Sequence, residues 1–214
     1  NGAFGEAGNL IFLATPTLSI RSFKPVSVSY SVPLIRQNKL THLGTPTARG
    51  CTAASVAMVL GYWQRIDDTN RILDAQQIID INTQQGQFFP QSGLSIENVE
   101  DELNQLGYEI AILRNGTKEA LLEALETFGP IAVLCKLGWN PAGANHMTVV
   151  TGYNAETDRL LIHDPNIAQP LDIAYSTFDS IWGLDYSAVQ DGSLRRAFFI
   201  IVPEDFENNK TPEP

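Results

Sequence analysis

Arg49-Gly50-Cys51-Thr52-Ala53-Ala54-Ser55-Val56-Ala57-Met58-Val59-Leu60-Gly61-Tyr62-Trp63 has the pattern of a helix that begins at or just after Cys51. Val56, Val59, Leu60 and Trp63 recur at helical spacing, and Ala53, Ala54 and Ala57 fill the intervening faces with little bulk. No charge occurs between Cys51 and Trp63, so this helix is expected to be buried nearly all round. The cysteine stands at the end where unpaired backbone N–H groups converge, and that end favours a thiolate. The bland alternative is a small core residue in a core helix, and a single cysteine means little until a base is found for it.

Upstream, residues 38–50 form a polar loop with Gly44, Pro46 and Gly50 that delivers the chain to Cys51. Before it, Val26, Val28, Tyr30 and Val32 alternate with Ser27, Ser29 and Ser31, the period of a half-buried strand. Leu18 and Ile20 repeat that pattern, and Pro16 and Pro25 punctuate it. Residues 1–31 are thus expected as an N-terminal β extension, 32–203 as the main domain, and 204–214 as an acidic, Pro/Asn-rich disordered tail.

Downstream, Arg65–Asn70 reads as a charged turn and Ile72–Ile81 as a weakly amphipathic helix. The Gln- and Gly-rich stretch Asn82–Gly93 is expected as a surface loop with Phe88 and Phe89 tucked beneath it. Ser95 and Asn98 open a further helix carrying Ile96, Val99, Leu103 and Leu106, stopped by Gly107. Tyr108–Leu113 predicts a strand. Thr117 predicts an N-cap for a helix with Leu121, Leu122, Leu125 and Phe128, broken at Gly129-Pro130.

A base for Cys51 must come from the second half. Ile131–Leu137, His146–Tyr153, Leu160–Asp164 and Ala197–Val202 predict strands, with Asn154–Asp158 turning the second into the third. If Glu156 is the centre of that turn, the numbers of facing residues sum to 312, and Asp164 faces Thr148. Asp164 then shares a face with His146, one diagonal step away and within reach of a carboxylate–imidazole hydrogen bond. A centre one residue earlier pairs them directly, whereas a half-step shift puts Asp164 on the wrong face. Such a carboxylate would hold the ring in one tautomer and stabilise its cation. His163 alternates to the opposite face, His42 lies in the polar loop, and Cys135 in its apolar strand reads as core.

Composition narrows the classes. The chain has 214 residues, 43% of them hydrophobic, enough for one domain with a sizeable core. Its net charge of −10 and sequence pI near 4.6 argue against binding nucleic acid or an anionic membrane surface. No apolar run approaches the roughly 20 residues of a transmembrane helix. Two cysteines do not make a disulfide framework, and neither C-x-x-C nor H-E-x-x-H occurs, so no metal or other cofactor is expected. Compartment and oligomeric state stay open, a secreted or cell-envelope protein with its leader removed being one reading.

Three blocks carry a resemblance. Val32-Pro33-Leu34-Ile35-Arg36-Gln37, followed by Gly50-Cys51 and Ser55–Trp63, resembles the nucleophile region of papain-fold cysteine peptidases. The subgroup is the bacteriocin-leader (double-glycine) peptidases and their stand-alone bacterial relatives. Asn145-His146-Met147-Thr148-Val149-Val150-Thr151-Gly152-Tyr153 resembles their His strand. Leu161-Ile162-His163-Asp164-Pro165 resembles the returning Asp-Pro strand, and Phe178 with Trp182 an aromatic pair on the following helix. The likeness covers roughly residues 32–202, with the blocks in the family's order.

The resemblance implies an α+β fold, papain-like, with a buried nucleophile helix packed against an antiparallel sheet. It also implies a peptide or protein substrate and a thiol peptidase or amidase mechanism. Cys51 would be the nucleophile, His146 the general base, Asp164 the orienting carboxylate and Gln37 the oxyanion-hole donor, with Asn38 as the neighbouring alternative. Two positions depart from the pattern: Gln37 precedes Cys51 by fourteen residues rather than a few, and Thr52 stands where the family usually has Gly. An inserted loop that leaves and returns over 38–50 would still deliver Gln37 to Cys51. A thiol acyltransferase and a catalytically silent peptide-binding relative are the competing classes.

Overall fold

Helix α1, Cys51–Asp67, runs through the middle of the molecule. Residues 52–60 are all buried, as is Trp63, so the uncharged sequence is matched by burial on every side. Each fully buried Val or Leu contributes about 1.5–3 kcal/mol, so packing rather than helix propensity holds this element. The computed structural model describes residues 23–67, 73–184 and 194–206. The strand pattern at Leu18 and Ile20 lies outside them. Of the turn expected over residues 65–70, residues 65–67 instead continue α1. Of the tail expected as disordered from 204, residues 204–206 form a turn with the Phe206 ring 5.4 Å from Trp63. The remainder of both segments lies outside the described residues.

α1 packs against an antiparallel sheet to which the described residues contribute seven strands. Its strands are β1 (Val28–Ser29), β4 (Tyr108–Leu113), β5 (Ile131–Lys136), β6 (Asn145–Asn154), β7 (Arg159–His163), β8 (Leu171–Ala174) and β9 (Phe198–Pro203). The order across the sheet is β4-β9-β5-β6-β7-β8, with β1 pairing β6 through Val28↔Tyr153 and Ser29↔Gly152. A small separate hairpin, β2 (Thr41–His42) with β3 (Thr45–Pro46), projects ahead of α1.

Both faces of the sheet are covered, and alternation along the strands assigns each residue to one side. Ala132, Met147, Val149, Phe199 and Ile201 join the core beneath α1, together with Ile78 and Ile79 of α2 (Ala75–Gln84) and Leu103 of α3 (Glu100–Gln105). Ile131, Val133, Val150, Phe198 and Ile200 face the other way, onto α4 (Lys118–Phe128) and α5 (Tyr175–Trp182). Phe178 and Trp182 both lie in that second core, their rings 5.2 Å apart.

Several expectations are displaced. α2 begins three residues late because Asp74 and Gln77 form a reciprocal capping box, and it continues to Gln84, into the stretch expected as loop. Phe88 is tucked in and stacks on His42 with ring centroids 5.0 Å apart, but Phe89 is 53% exposed. The helix opened by Ser95 starts as a 3-10 turn, Ile96–Val99, before α3. Among the described residues before Pro33, only Val28–Ser29 is strand. Thr117 caps α4 as expected, accepting the Ala120 N–H at 3.1 Å.

The β6–β7 register is not uniform. Near the turn, Tyr153↔Leu160 and Asn154↔Arg159 sum to 313, a half-step from the expected centre. Beyond a bulge between Val150 and Gly152, Val150↔Ile162 and Val149↔His163 sum to 312. The extra residue is Thr151, whose hydroxyl donates to the Leu161 carbonyl at 3.3 Å and whose carbonyl accepts the Tyr30 N–H at 2.8 Å. Gly152 suits this crossing because a Cβ there would stand 2.7 Å from the Val28 carbonyl oxygen.

Candidate active site

β7 ends at His163, and Asp164 begins a tight turn across Pro165. The Asp164 carbonyl accepts the Ile167 N–H at 2.9 Å, while its Oδ1 accepts the Asn166 N–H at 2.8 Å. Proline suits the second position of such a turn, and the aspartate side chain mimics a backbone carbonyl at the first. The same Oδ1 lies 2.7 Å from His146 Nε2, with both side chains sealed from solvent. A uniform register of 313 would have set Asp164 opposite Val149 on the other face. The bulge at Thr151 therefore gives Asp164 the side of the sheet that His146 occupies.

Cys51 is the first residue of α1 and half-buried. Its sulfur is influenced by the His146 side chain and by the Met147 and Thr52 backbone, each of which favours the thiolate. With Nε2 committed to Asp164, the ring nitrogen left for sulfur is Nδ1. Burial alone would raise the Cys51 thiol's pKa, but the hydrogen bond and charge of His146, aided by the two backbone contacts, bring it below its ordinary value. Burial likewise opposes the His146 cation. No single contact outweighs that burial, but the Asp164 hydrogen bond, the interaction with Cys51 and the charges of both together do, and the imidazole is pushed up to about 9. A thiol shifted below its usual range beside an imidazole shifted above its own favours the thiolate–imidazolium pair more than either group would alone.

The other sulfur and the other strand histidine differ. Cys135 faces His146 from β5 but is fully buried; burial first, then the negative charge of Asp164, hold its thiol well above the usual range. His163 is pushed down by burial, which a hydrogen bond with the Pro33 backbone only partly offsets.

Gln37 begins a 3-10 turn, Gln37–Lys39, and its side chain is buried. The chain leaves at Leu40, runs round the β2–β3 hairpin, and closes again where the Thr47 N–H meets the Leu40 carbonyl at 3.0 Å. Gln37 Nε2 then donates to the carbonyl of Ala48 at 3.1 Å, three residues before Cys51. Its Oε1 has no hydrogen-bond partner among the described residues. Thr52, which replaces the expected glycine, sits in ordinary helical backbone and ties α1 to the neighbouring loop by donating to the Leu94 carbonyl at 2.7 Å.

The Peptidase_C39 like family matches residues 29–187. The chain belongs to that family. Solved structures that resemble this C39-like chain include the following three. A double glycine motif protease from an AMS/PCAT transporter, in complex with the leader peptide, is 20% identical with a TM-score of 0.51, covering 83% of this chain and 99% of that one. A C39-like peptidase from Bacillus anthracis is 15% identical with a TM-score of 0.54, covering 82% and 97%. Xylellain, a cysteine protease from Xylella fastidiosa, is 13% identical with a TM-score of 0.55, covering 84% and 86%. Curated proteins give no match. The fold of this C39-like chain is accordingly the papain-like one that the resemblance implied, with the Cys51 helix packed on an antiparallel sheet.

Among the described residues of the C39-like domain, no group of three or more His, Cys, Asp or Glu is placed to hold a metal. No described helix is long and apolar enough to cross a membrane. Sequence reasoning missed Thr151, and also Ser55, whose hydroxyl donates to the Met147 carbonyl at 3.1 Å. A bulge leaves only a weak trace, here the Thr-Gly pair inside an apolar strand. Ser55 was legible in principle as a hydroxyl one helical turn from Cys51 within an otherwise apolar run.

Proposed function

We propose that this C39-like chain is a thiol peptidase acting on peptide or protein substrates through an acyl-enzyme. The observation that carries this reading is the buried His146 imidazole, hydrogen-bonded to the Asp164 carboxylate at 2.7 Å and electrostatically coupled to the Cys51 sulfur. In the proposed reaction the Cys51 thiolate attacks the scissile carbonyl carbon, and the carbonyl oxygen becomes an oxyanion. The Cys51 N–H at the start of α1 and the second amide hydrogen of Gln37 are the donors assigned to it. His146 passes its proton to the leaving amine as the C–N bond breaks, leaving a thioester on Cys51. His146, now neutral, takes a proton from water, whose oxygen attacks the thioester; collapse releases the acid and regenerates the thiolate. Asp164 keeps the ring oriented and balances the imidazolium charge throughout.

A peptide substrate is further supported by the neighbour that is complexed with a leader peptide. The test is mass spectrometry of a peptide-library digest by the wild type beside a Cys51→Ala control. Hydrolysed fragments that appear only with the wild type are expected. Transfer of the acyl part to an added amine instead of water would make the chain an acyltransferase. Fragments formed equally by both proteins, or by neither, would contradict the proposal.

A further inference from the structure

Met147, the residue after His146, lies on the part of β6 that β7 no longer covers. The β6–β7 ladder ends with Val149 facing His163, and at the same register its continuation would set Met147 opposite Pro165. Proline has no N–H to give, and the Pro165 carbonyl is turned instead to the Gln37 N–H at 2.9 Å. On the other side, Leu134 faces Met147 but sends its own N–H away from β6, to the Ala197 carbonyl. The 134/147 pair is therefore one in which neither residue bonds the other, and both backbone groups of Met147 point to the vacated side. Met147 is 3% exposed, so water is a poor substitute, and buried backbone groups are rarely left without partners.

α1 takes both groups. The Met147 carbonyl accepts the Ser55 hydroxyl at 3.1 Å, and the Met147 N–H is turned to the side of the Cys51 sulfur, whose thiolate it favours. Cys51 and Ser55 are four residues apart and share one face of the helix. The two side chains replace the strand partner that the proline withdrew. Packing alone would be satisfied by Ala at this fully buried position; a hydroxyl is needed only for the carbonyl.

We propose that Ser55 is a positioning residue: by holding the Met147 carbonyl it fixes the Met147 N–H against the Cys51 sulfur and sets the His146 ring beside it. This rests on the reading of Cys51 as the nucleophile. Losing the hydroxyl frees the helix to shift along β6 and weakens both contacts that favour the thiolate. The decisive comparison is the pH dependence of Cys51 alkylation by iodoacetamide, followed by peptide mapping of wild type, Ser55→Ala and the hydroxyl-retaining Ser55→Thr, with melting temperatures alongside. Ser55→Ala is expected to remain folded and to alkylate Cys51 about three- to tenfold more slowly below the wild-type midpoint, the midpoint moving to higher pH. Ser55→Thr is expected to keep the wild-type profile. A folded Ser55→Ala with an unshifted profile would overturn the assignment, and so would equal shifts in both variants or loss of folding in Ser55→Ala, which would make the residue merely structural. Peptide cleavage is measured separately. A wild type whose Cys51 titrates low but which cleaves nothing would remove the peptidase reading and leave the Ser55 placement standing.

Discussion

The Gln37 N–H donates to the Pro165 carbonyl at 2.9 Å, joining the segment that leads toward α1 to the turn that begins at Asp164. Arg36 reinforces the clasp by donating to the Asn166 carbonyl at 3.3 Å. The turn that orients the imidazole and the residue assigned to the oxyanion are thus held to each other by the backbone.

Replacing Gln37 with Ala tests that assignment. Loss of one oxyanion donor is expected to lower kcat by about 10²–10³, with KM little changed. The bond to Ala48 is lost as well, but a single neutral hydrogen bond is worth only about 0.5–1.5 kcal/mol, so a folded protein should remain. Steady-state kinetics on a cleaved library peptide give the answer, and an unchanged kcat would remove Gln37 from the reaction.

Asp164→Asn separates charge from orientation. The wild-type ion pair needs a deprotonated Cys51, whose pKa is lowered, and a protonated His146, whose pKa is raised to about 9. Activity should therefore rise as Cys51 ionises below its ordinary range and fall as His146 loses its proton near pH 9. The stability the pair lends the fold through His146 is fully present below the imidazole's unfolded pKa of roughly 6.5 and is lost as pH rises through about 9. The amide variant removes the contribution that most raises the imidazole, so its alkaline limb should move down toward neutrality and its kcat should fall about 10²–10⁴. A kcat/KM profile with the alkaline limb left in place would show that Asp164 does not govern His146.

The two strand histidines should behave oppositely. His146→Ala is expected to abolish turnover, whereas His163→Ala should retain most of it, because the ring that meets the Asp164 carboxylate and is influenced by Cys51 is His146. Parallel assays of the two variants decide between them; an essential His163 and a dispensable His146 would refute the site.

Much of this was legible because the patterns are local. The uncharged run after Cys51, the strand from His146 and the N-cap at Thr117 are written in consecutive residues, and each element lies where its periodicity put it. The pairing of Asp164 with His146 was also anticipated, but from a uniform hairpin centred on Glu156. The actual turn is a half-step off, and Thr151 restores the register. A bulge depends on which strands lie on either side, here β1 and β7, and that is tertiary information no alternation along β6 can carry. β8 was missed for a related reason: it is four residues long and held at the sheet edge partly by Arg159 gripping Asp172 at 2.6 Å.

Gly152→Ala probes that bulge. The added Cβ would meet the Val28 carbonyl oxygen at 2.7 Å, so β1 must shift or detach. A loss of about 1–3 kcal/mol is expected, visible as a lowered melting temperature. An unchanged melting temperature would show that β1 contributes little to the sheet.

The most direct test of the central claim uses the protein's two cysteines as each other's control. Native protein is treated with limiting iodoacetamide near neutral pH, and the labelled peptides containing Cys51 and Cys135 are quantified over time. His146 and the backbone donors favour the Cys51 thiolate, while burial and the neighbouring Asp164 charge suppress that of Cys135. Cys51 should be modified many times faster, and the advantage should collapse in His146→Ala. Equal labelling of the two cysteines, or a Cys51 rate indifferent to His146, would contradict an activated nucleophile at the start of α1.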